Sequence, residues 1–171
     1  QLNAVAPLKP APEAAKGEAQ KNSSFICREA ILDRGERIAG YEFALGQKVQ
    51  ARMMEASAVI RRVYDDVMLN SLAPLGVSSL LGGRSAFIRL SVDTLKSPQL
   101  AALAHPNTVI MISPRPLAEV DLAEMRASLA HIRALGFRQG WSISQPRPEY
   151  AEFLHQADFI EIDPAGLDGM Q

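Results

Sequence analysis

From Ser85 onward the chain alternates short strand-like runs with helix-period segments, joined by connections of a few residues. This alternation constrains the fold more than any other feature. SAFIRLS (Ser85–Ser91) reads as a strand, a short helix follows near Pro98–Ala104, and TVIMIS (Thr108–Ser113) reads as a second strand. The next segment, Leu117–Leu135, places Val120, Leu122, Met125, Leu129, Ile132 and Leu135 on one stripe and stops at Gly136, a helix terminator. QGWSIS (Gln139–Ser144), a helical turn over Pro148–Gln156 and DFIEID (Asp158–Asp163) complete the series. Strand, helix, strand with short links is the pattern of parallel strands joined by right-handed crossovers, so the class is α/β. Periodicity alone does not separate an open doubly wound sheet from a barrel. No GxGxxG or GxxxxGK[ST] marks a nucleotide-binding turn, and Gly82-Gly83-Arg84-Ser85 is only a glycine turn.

Upstream, FICREAIL (Phe25–Leu32) and IAGYEFAL (Ile38–Leu45) flank a turn around Gly35, which predicts an antiparallel hairpin. A helix is predicted over Met54–Leu72. Ala56, Ile60, Val63, Tyr64, Val67, Met68 and Leu72 form its apolar stripe, and Arg61, Arg62, Asp65 and Asp66 are read as its solvated face. Residues 1–23 hold Pro7, Pro10 and Pro12 among alanines, with too little apolar bulk to offset the entropy of ordering, so they read as a flexible tail before a domain over 24–171.

With 171 residues there is enough chain for one domain with a real core. Its 18 basic and 19 acidic residues leave a formal charge of -1, which gives sequence-independent nucleic-acid binding little to act on. No apolar run approaches the roughly 20 residues that cross a bilayer. Cys27 is the single cysteine, so no internal disulfide forms, and a cytoplasmic setting is expected. Without a partner at catalytic spacing Cys27 reads as a packing residue. His105, His131 and His155 lack metal-ligand spacing.

Taken in order, FICREAILDRGERIAGYEFAL, AFIRLSVDTL, VIMISP, LGFRQGWSIS and ADFIEIDP resemble the succession of strands in the EAL domain family, and most closely its divergent branch joined to HDOD domains. The resemblance spans about residues 24–164. It implies a TIM-like (β/α) barrel with the site at the carboxyl ends of the strands, preceded by the antiparallel hairpin. Active family members hydrolyse cyclic di-GMP with two divalent cations, which need several oxygen ligands to hold them.

Carried over residue by residue, the resemblance describes a depleted site. Glu42 in GYEFAL falls where the family's first glutamate stands. The asparagine of the next strand is matched by Arg89, the following glutamate by Ile110, with Ile112 as the alternative register. The paired aspartates fall on Ser142 and Ile143, and the catalytic lysine on Glu161. Asp163 keeps its identity, while the phosphate-holding arginine is matched by Gly46. The resemblance therefore implies no catalytic residues, no metal and no cofactor. It places Arg89 beside Glu42, where a guanidinium can stand in for a missing cation, with Asp163 as a further candidate partner. Trp141, on a neighbouring strand, is expected either to plug the space substrate would fill or to belong to the core.

Three functional classes follow. The favoured one is a catalytically inactive EAL-like module acting in bacterial signalling through a protein partner or self-association. A non-catalytic cyclic di-GMP receptor comes second, with Gly46 weighing against it. An active phosphodiesterase is third, opposed by the missing ligands. Active members also continue beyond the strand matching DFIEID, so a barrel incomplete at its C-terminal end is expected. Further chain, a second copy, a partner or residues 1–23 would then cover the opening.

Overall fold

Asp33 closes the first hairpin. Its Oδ1 accepts from the backbone N–H groups of Gly35 (2.7 Å) and Arg37 (3.1 Å), and its Oδ2 takes the Arg37 guanidinium at 3.0 Å. This is the local bonding by which aspartate favours turns over strands. The computed structural model describes residues 25–76, 81–113, 121–143 and 148–162. The turn joins β1 (Ile26–Leu32) to β2 (Ile38–Leu45), antiparallel, with Glu29 opposite Glu42 and an irregularity between Ile31 and Leu32. Four parallel strands follow in sequence order: β3 (Ser85–Ser91), β4 (Thr108–Ser113), β5 (Arg138–Ile143) and β6 (Phe159–Ile162). The helices are α1 (Gln47–Met54), α2 (Ala58–Leu72), α3 (Leu122–Ala134) and the single turn α4 (Ala151–Leu154).

The six strands form a mixed α/β half-barrel. In a flat sheet β3 and β6 would lie roughly 14 Å apart, at about 4.8 Å per step. Yet Phe87 of β3 meets Phe159 of β6 edge to face with centroids 5.1 Å apart. Only a strongly curled sheet brings them together. Inside the curl, Phe87, Val109 and Met111 form a buried floor, with Ile31 and Phe159 packed on it. Outside it, Ile88, Leu90, Ile110, Ile112 and Trp141 meet Met68, Leu69 and Leu72 of α2 and Met125, Leu129 and Ile132 of α3. Each fully buried aliphatic or aromatic side chain there stabilises the fold by about 1.5–3 kcal/mol.

Helix α3 shows how local sequence sets boundaries. Asp121 accepts from the N–H groups of Ala123 (2.8 Å) and Glu124 (3.2 Å), an N-cap that starts the helix. At the other end Gly136 takes φ of 92°, and Phe137 N–H bonds to the Ile132 carbonyl at 3.2 Å, closing a Schellman turn. The expected beginning of this helix, 117–120, lies outside the described residues, as does the tail over 1–23.

Helix α2 departs from the sequence reading in two ways. The helix expected from Met54 begins only at Ala58, capped by Ser57, and Met54 instead ends a separate helix, α1, that the sequence reading did not include. The second departure is a partial rotation of its faces: Met68 and Leu72 are buried and Arg62 is exposed as expected, but the rest of the pattern shifts. Arg61 and Asp65 are buried, whereas Ile60, Val63 and Val67 face solvent. The cause is the turn after β3. Asp65 Oδ2 accepts from Ser91 N–H (2.9 Å), Ser91 Oγ (2.7 Å) and Thr94 Oγ1 (2.7 Å), while Arg61 Nε donates to Asp93 Oδ2 at 3.0 Å. A buried carboxylate with three donors is satisfied in a way that no hydropathy pattern registers.

Candidate functional site

Strand alternation decides which side chains reach the inside of the curl. In a parallel sheet, residues level with one another share a face. Arg89 is level with Met111, Met111 with Gly140, and Gly140 with Phe159, so these four line one inner layer. Ser142 and Glu161 are level one step nearer the carboxyl ends.

Arg89 is the centre of the cluster. Its Nε and Nη2 both reach Glu42 Oε1 at 2.6 Å, and Nη2 also reaches Glu161 Oε2 at 2.6 Å. One guanidinium thus ties β2, β3 and β6 together, with charge-assisted bonds at the short end of their range. Burial by itself would lower the Arg89 pKa, but the bonds and charges of Glu42 and Glu161 outweigh it and raise it further. For Glu161 burial pushes upward, and the Arg89 bond and charge, with a bond from Ser142, prevail and hold the carboxyl below its ordinary value.

A concavity of about 560 Å³ opens over this cluster, lined also by Glu29, Gln47 and Gln50. Glu29, Glu42 and Glu161 against Arg89 leave its charged lining net negative, with the cation engaged on both sides. Among the described residues no group of three or more histidines, cysteines, aspartates or glutamates is placed to hold a metal ion.

The seven residues singled out from the sequence do not all come together. Glu42, Arg89, Ser142 and Glu161 share the inner face. Ile110 does not: it is fully buried on the helix side, and so is the alternative, Ile112. Met111, the residue between them, occupies the inner position level with Arg89 and Gly140. Ile143 likewise packs toward the helices, because adjacent strand residues point oppositely. Asp163 lies outside the described residues. Trp141 is no plug. It is fully buried on the helix side, stacked on Phe153 with centroids 5.8 Å apart.

Two residues of the inner face escape a reading of charges and motifs. Met111 and Gly140 form its floor, and a Cβ on Gly140 would lie 2.1 Å from the Met111 sulfur. The one signal in sequence is the glycine itself, since a strand glycine marks close approach by a neighbour.

With the geometry in hand, comparison with solved structures places the architecture. The chain matches Klebsiella pneumoniae BlrP1, solved as a manganese/cyclic di-GMP complex, with a TM-score of 0.62 and 17% identity over 85% of this chain and 42% of that one. It matches the EAL enzyme Bd1971, solved with cAMP and cyclic di-GMP bound, with a TM-score of 0.61 and 14% identity over 83% of this chain and 46% of that one. Vibrio cholerae LapD, in its S helix-GGDEF-EAL form bound to cyclic di-GMP, gives 0.50 and 10%, over 86% and 41%. The fold is EAL-like. This chain spans less than half the length of each of these structures. No family model and no curated protein matches it. Among the described residues no helix is long and apolar enough to cross a membrane.

Proposed function

We propose that this chain is a degenerate EAL-like module, of the kind joined to HDOD domains, that carries out no hydrolysis and acts in cytoplasmic bacterial signalling through protein contact. The observation that carries this reading is the engagement of Arg89 by Glu42 and Glu161 at 2.6 Å each. By the family resemblance, these positions in active members belong to the site that holds cations and substrate. A guanidinium fixed between two carboxylates supplies the positive charge internally and leaves no demand for a divalent ion. The net negative lining opposes a dianionic cyclic dinucleotide, and Gly46 offers no side chain to hold a phosphate.

A second reading, a non-catalytic cyclic di-GMP receptor, is favoured by one observation: solved structures of this fold include cyclic di-GMP complexes. Calorimetric titration with cyclic di-GMP, with and without magnesium, combined with chromatography for the linear dinucleotide, separates the readings. Silence in both is the expected result. Metal-independent heat would favour the receptor, and appearance of the linear product would refute the non-catalytic reading. Retention of a protein partner in nucleotide-free buffer checks the interaction half of the proposal.

A further inference from the structure

Helix α2 carries a face that nothing among the described residues covers. Val59, Val63 and Val67 recur one helical turn apart and are 72%, 56% and 46% exposed, with Ile60 beside them at 48%. Single exposed aliphatics are ordinary, whereas four on one continuous ridge mark a contact surface. Their type strengthens the point. β-branched residues are poorer helix formers than Ala, Glu or Lys, so at solvated positions they weaken the helix without gain in packing. The conflict between local propensity and exposure is removed when the ridge is buried.

We propose that α2 docks antiparallel on α2 of a second copy of this chain, with Val63 at the two-fold axis and Val59 of each copy against Val67 of the other. The occupant follows from charge. Arg62 and Asp66 lie one turn apart along the same flank of the ridge, and the opposite flank, with Tyr64 and Ser71, carries no charge. In an antiparallel pair equivalent flanks face each other, so the two-fold brings Arg62 of each copy to Asp66 of its partner, forming two identical ion pairs. A parallel pair would set the charged flank against the uncharged one. Arg62 makes no ion pair among the described residues. Asp66 accepts from Ser97 Oγ at 2.8 Å through Oδ1, which leaves its second oxygen for the guanidinium. A contact confined to one helix per copy falls at the small end of interface sizes, so the dimer is weak and reversible.

The surface lies on the outer side of the sheet, and the inference does not depend on the reading of the Arg89 cluster. The test is sedimentation velocity of the intact chain from about 1 µM to about 500 µM, a range suited to an interface of this size. Cysteine cross-linking is added in a Cys27→Ser background. The expected result is a concentration-dependent dimer that Val63→Glu abolishes without lowering the melting temperature, because the position is exposed. Val63→Cys is expected to cross-link to itself. Val59→Cys and Val67→Cys are each expected to fail alone and to cross-link when mixed, since in the antiparallel pair equivalent copies of either lie roughly 12 Å apart along the axis. Arg62→Asp weakens the dimer several-fold, and Arg62→Asp with Asp66→Arg restores it. A monomer throughout the range without cross-links, or self-cross-linking of Val59→Cys, would overturn the proposal.

Discussion

Arg89 on β3 and Glu42 on β2 stand diagonally across the inner face of the half-barrel, Nη2 to Oε1 at 2.6 Å, with both side chains largely shielded from solvent. Glu161 completes the cluster from β6, so the guanidinium joins strands that enter the sheet far apart in sequence. The pair is both the electrostatic centre of the site and a clasp on the curl.

Removing the guanidinium leaves the largely buried Glu42 and the half-exposed Glu161 without the cation that joins them. Arg89→Ala is expected to destabilise the fold by about 1–3 kcal/mol. Arg89→Lys recovers only part of this, because an ammonium lacks the planar fork that reaches both carboxylates. Arg89→Ala with Glu42→Ala costs less than the sum of the two single changes, the mark of a direct pair. Urea denaturation of the four variants checks this; strict additivity would show that the two groups do not interact.

Acid stability carries two opposing contributions. Glu161 is held below its ordinary value of 4.5, so its contribution is complete above that pH and is lost as the pH falls through the folded value. Asp65 is raised above its ordinary value of 3.8, chiefly by burial, so its contribution is complete below that pH and is lost as the pH rises through the folded value. On acidification below about pH 4.5 the stability advantage of wild type over Glu161→Gln is therefore expected to shrink. Over the acid range the difference from Asp65→Asn shifts in favour of wild type. Denaturation curves at a series of pH values read both trends, and a reversal of either sign contradicts the assignment.

Asp65 also anchors the turn after β3. Asp65→Ala strands the Ser91 N–H and two hydroxyl donors that now converge on Oδ2, and is expected to cost about 2–4 kcal/mol. Hydrogen exchange at residues 91–94 should accelerate with it. Unchanged protection would mean that the turn is held by packing.

The two inner-face glycines are expected to differ. A Cβ at Gly40 would lie 2.4 Å from the Ser85 carbonyl oxygen, so Gly40→Ala forces β2 and β3 apart and costs about 3 kcal/mol. At Gly140 the obstacle is the Met111 thioether, which can rotate, so Gly140→Ala costs about 1 kcal/mol. That smaller cost should vanish in a Met111→Ala background. Thermal melts of the variants are the measurement.

Strand positions were legible because β-branched runs bounded by turn residues leave a direct trace, as at Ser85–Ser91 and Thr108–Ser113. The end of α3 was legible for the same kind of reason, since Gly136 satisfies a local requirement. Glu42 stood out as the one carboxylate in an otherwise apolar run, whereas Arg89 stood out only through the family resemblance. The register of β4 left no such trace. TVIMIS is apolar and buried on both faces, so alternation, the signal that assigns a side, is missing. The break between α1 and α2 was written in Ser57, whose side chain accepts from Ile60 N–H, but it was masked by the apolar period running through it.

Sequence by itself determined the α/β class and the succession of strands and helices along the chain, because propensity and turn chemistry act over a few positions. Tertiary structure alone decided that Met111, and not Ile110, lies under Arg89, that Glu161 reaches it from three strands away, and that α2 turns its valines outward. Those outcomes depend on curl and on partners such as Ser91, Thr94 and Asp93, some 26 to 32 residues distant from the side chains they capture. Proximity of that kind exists only once the chain is folded.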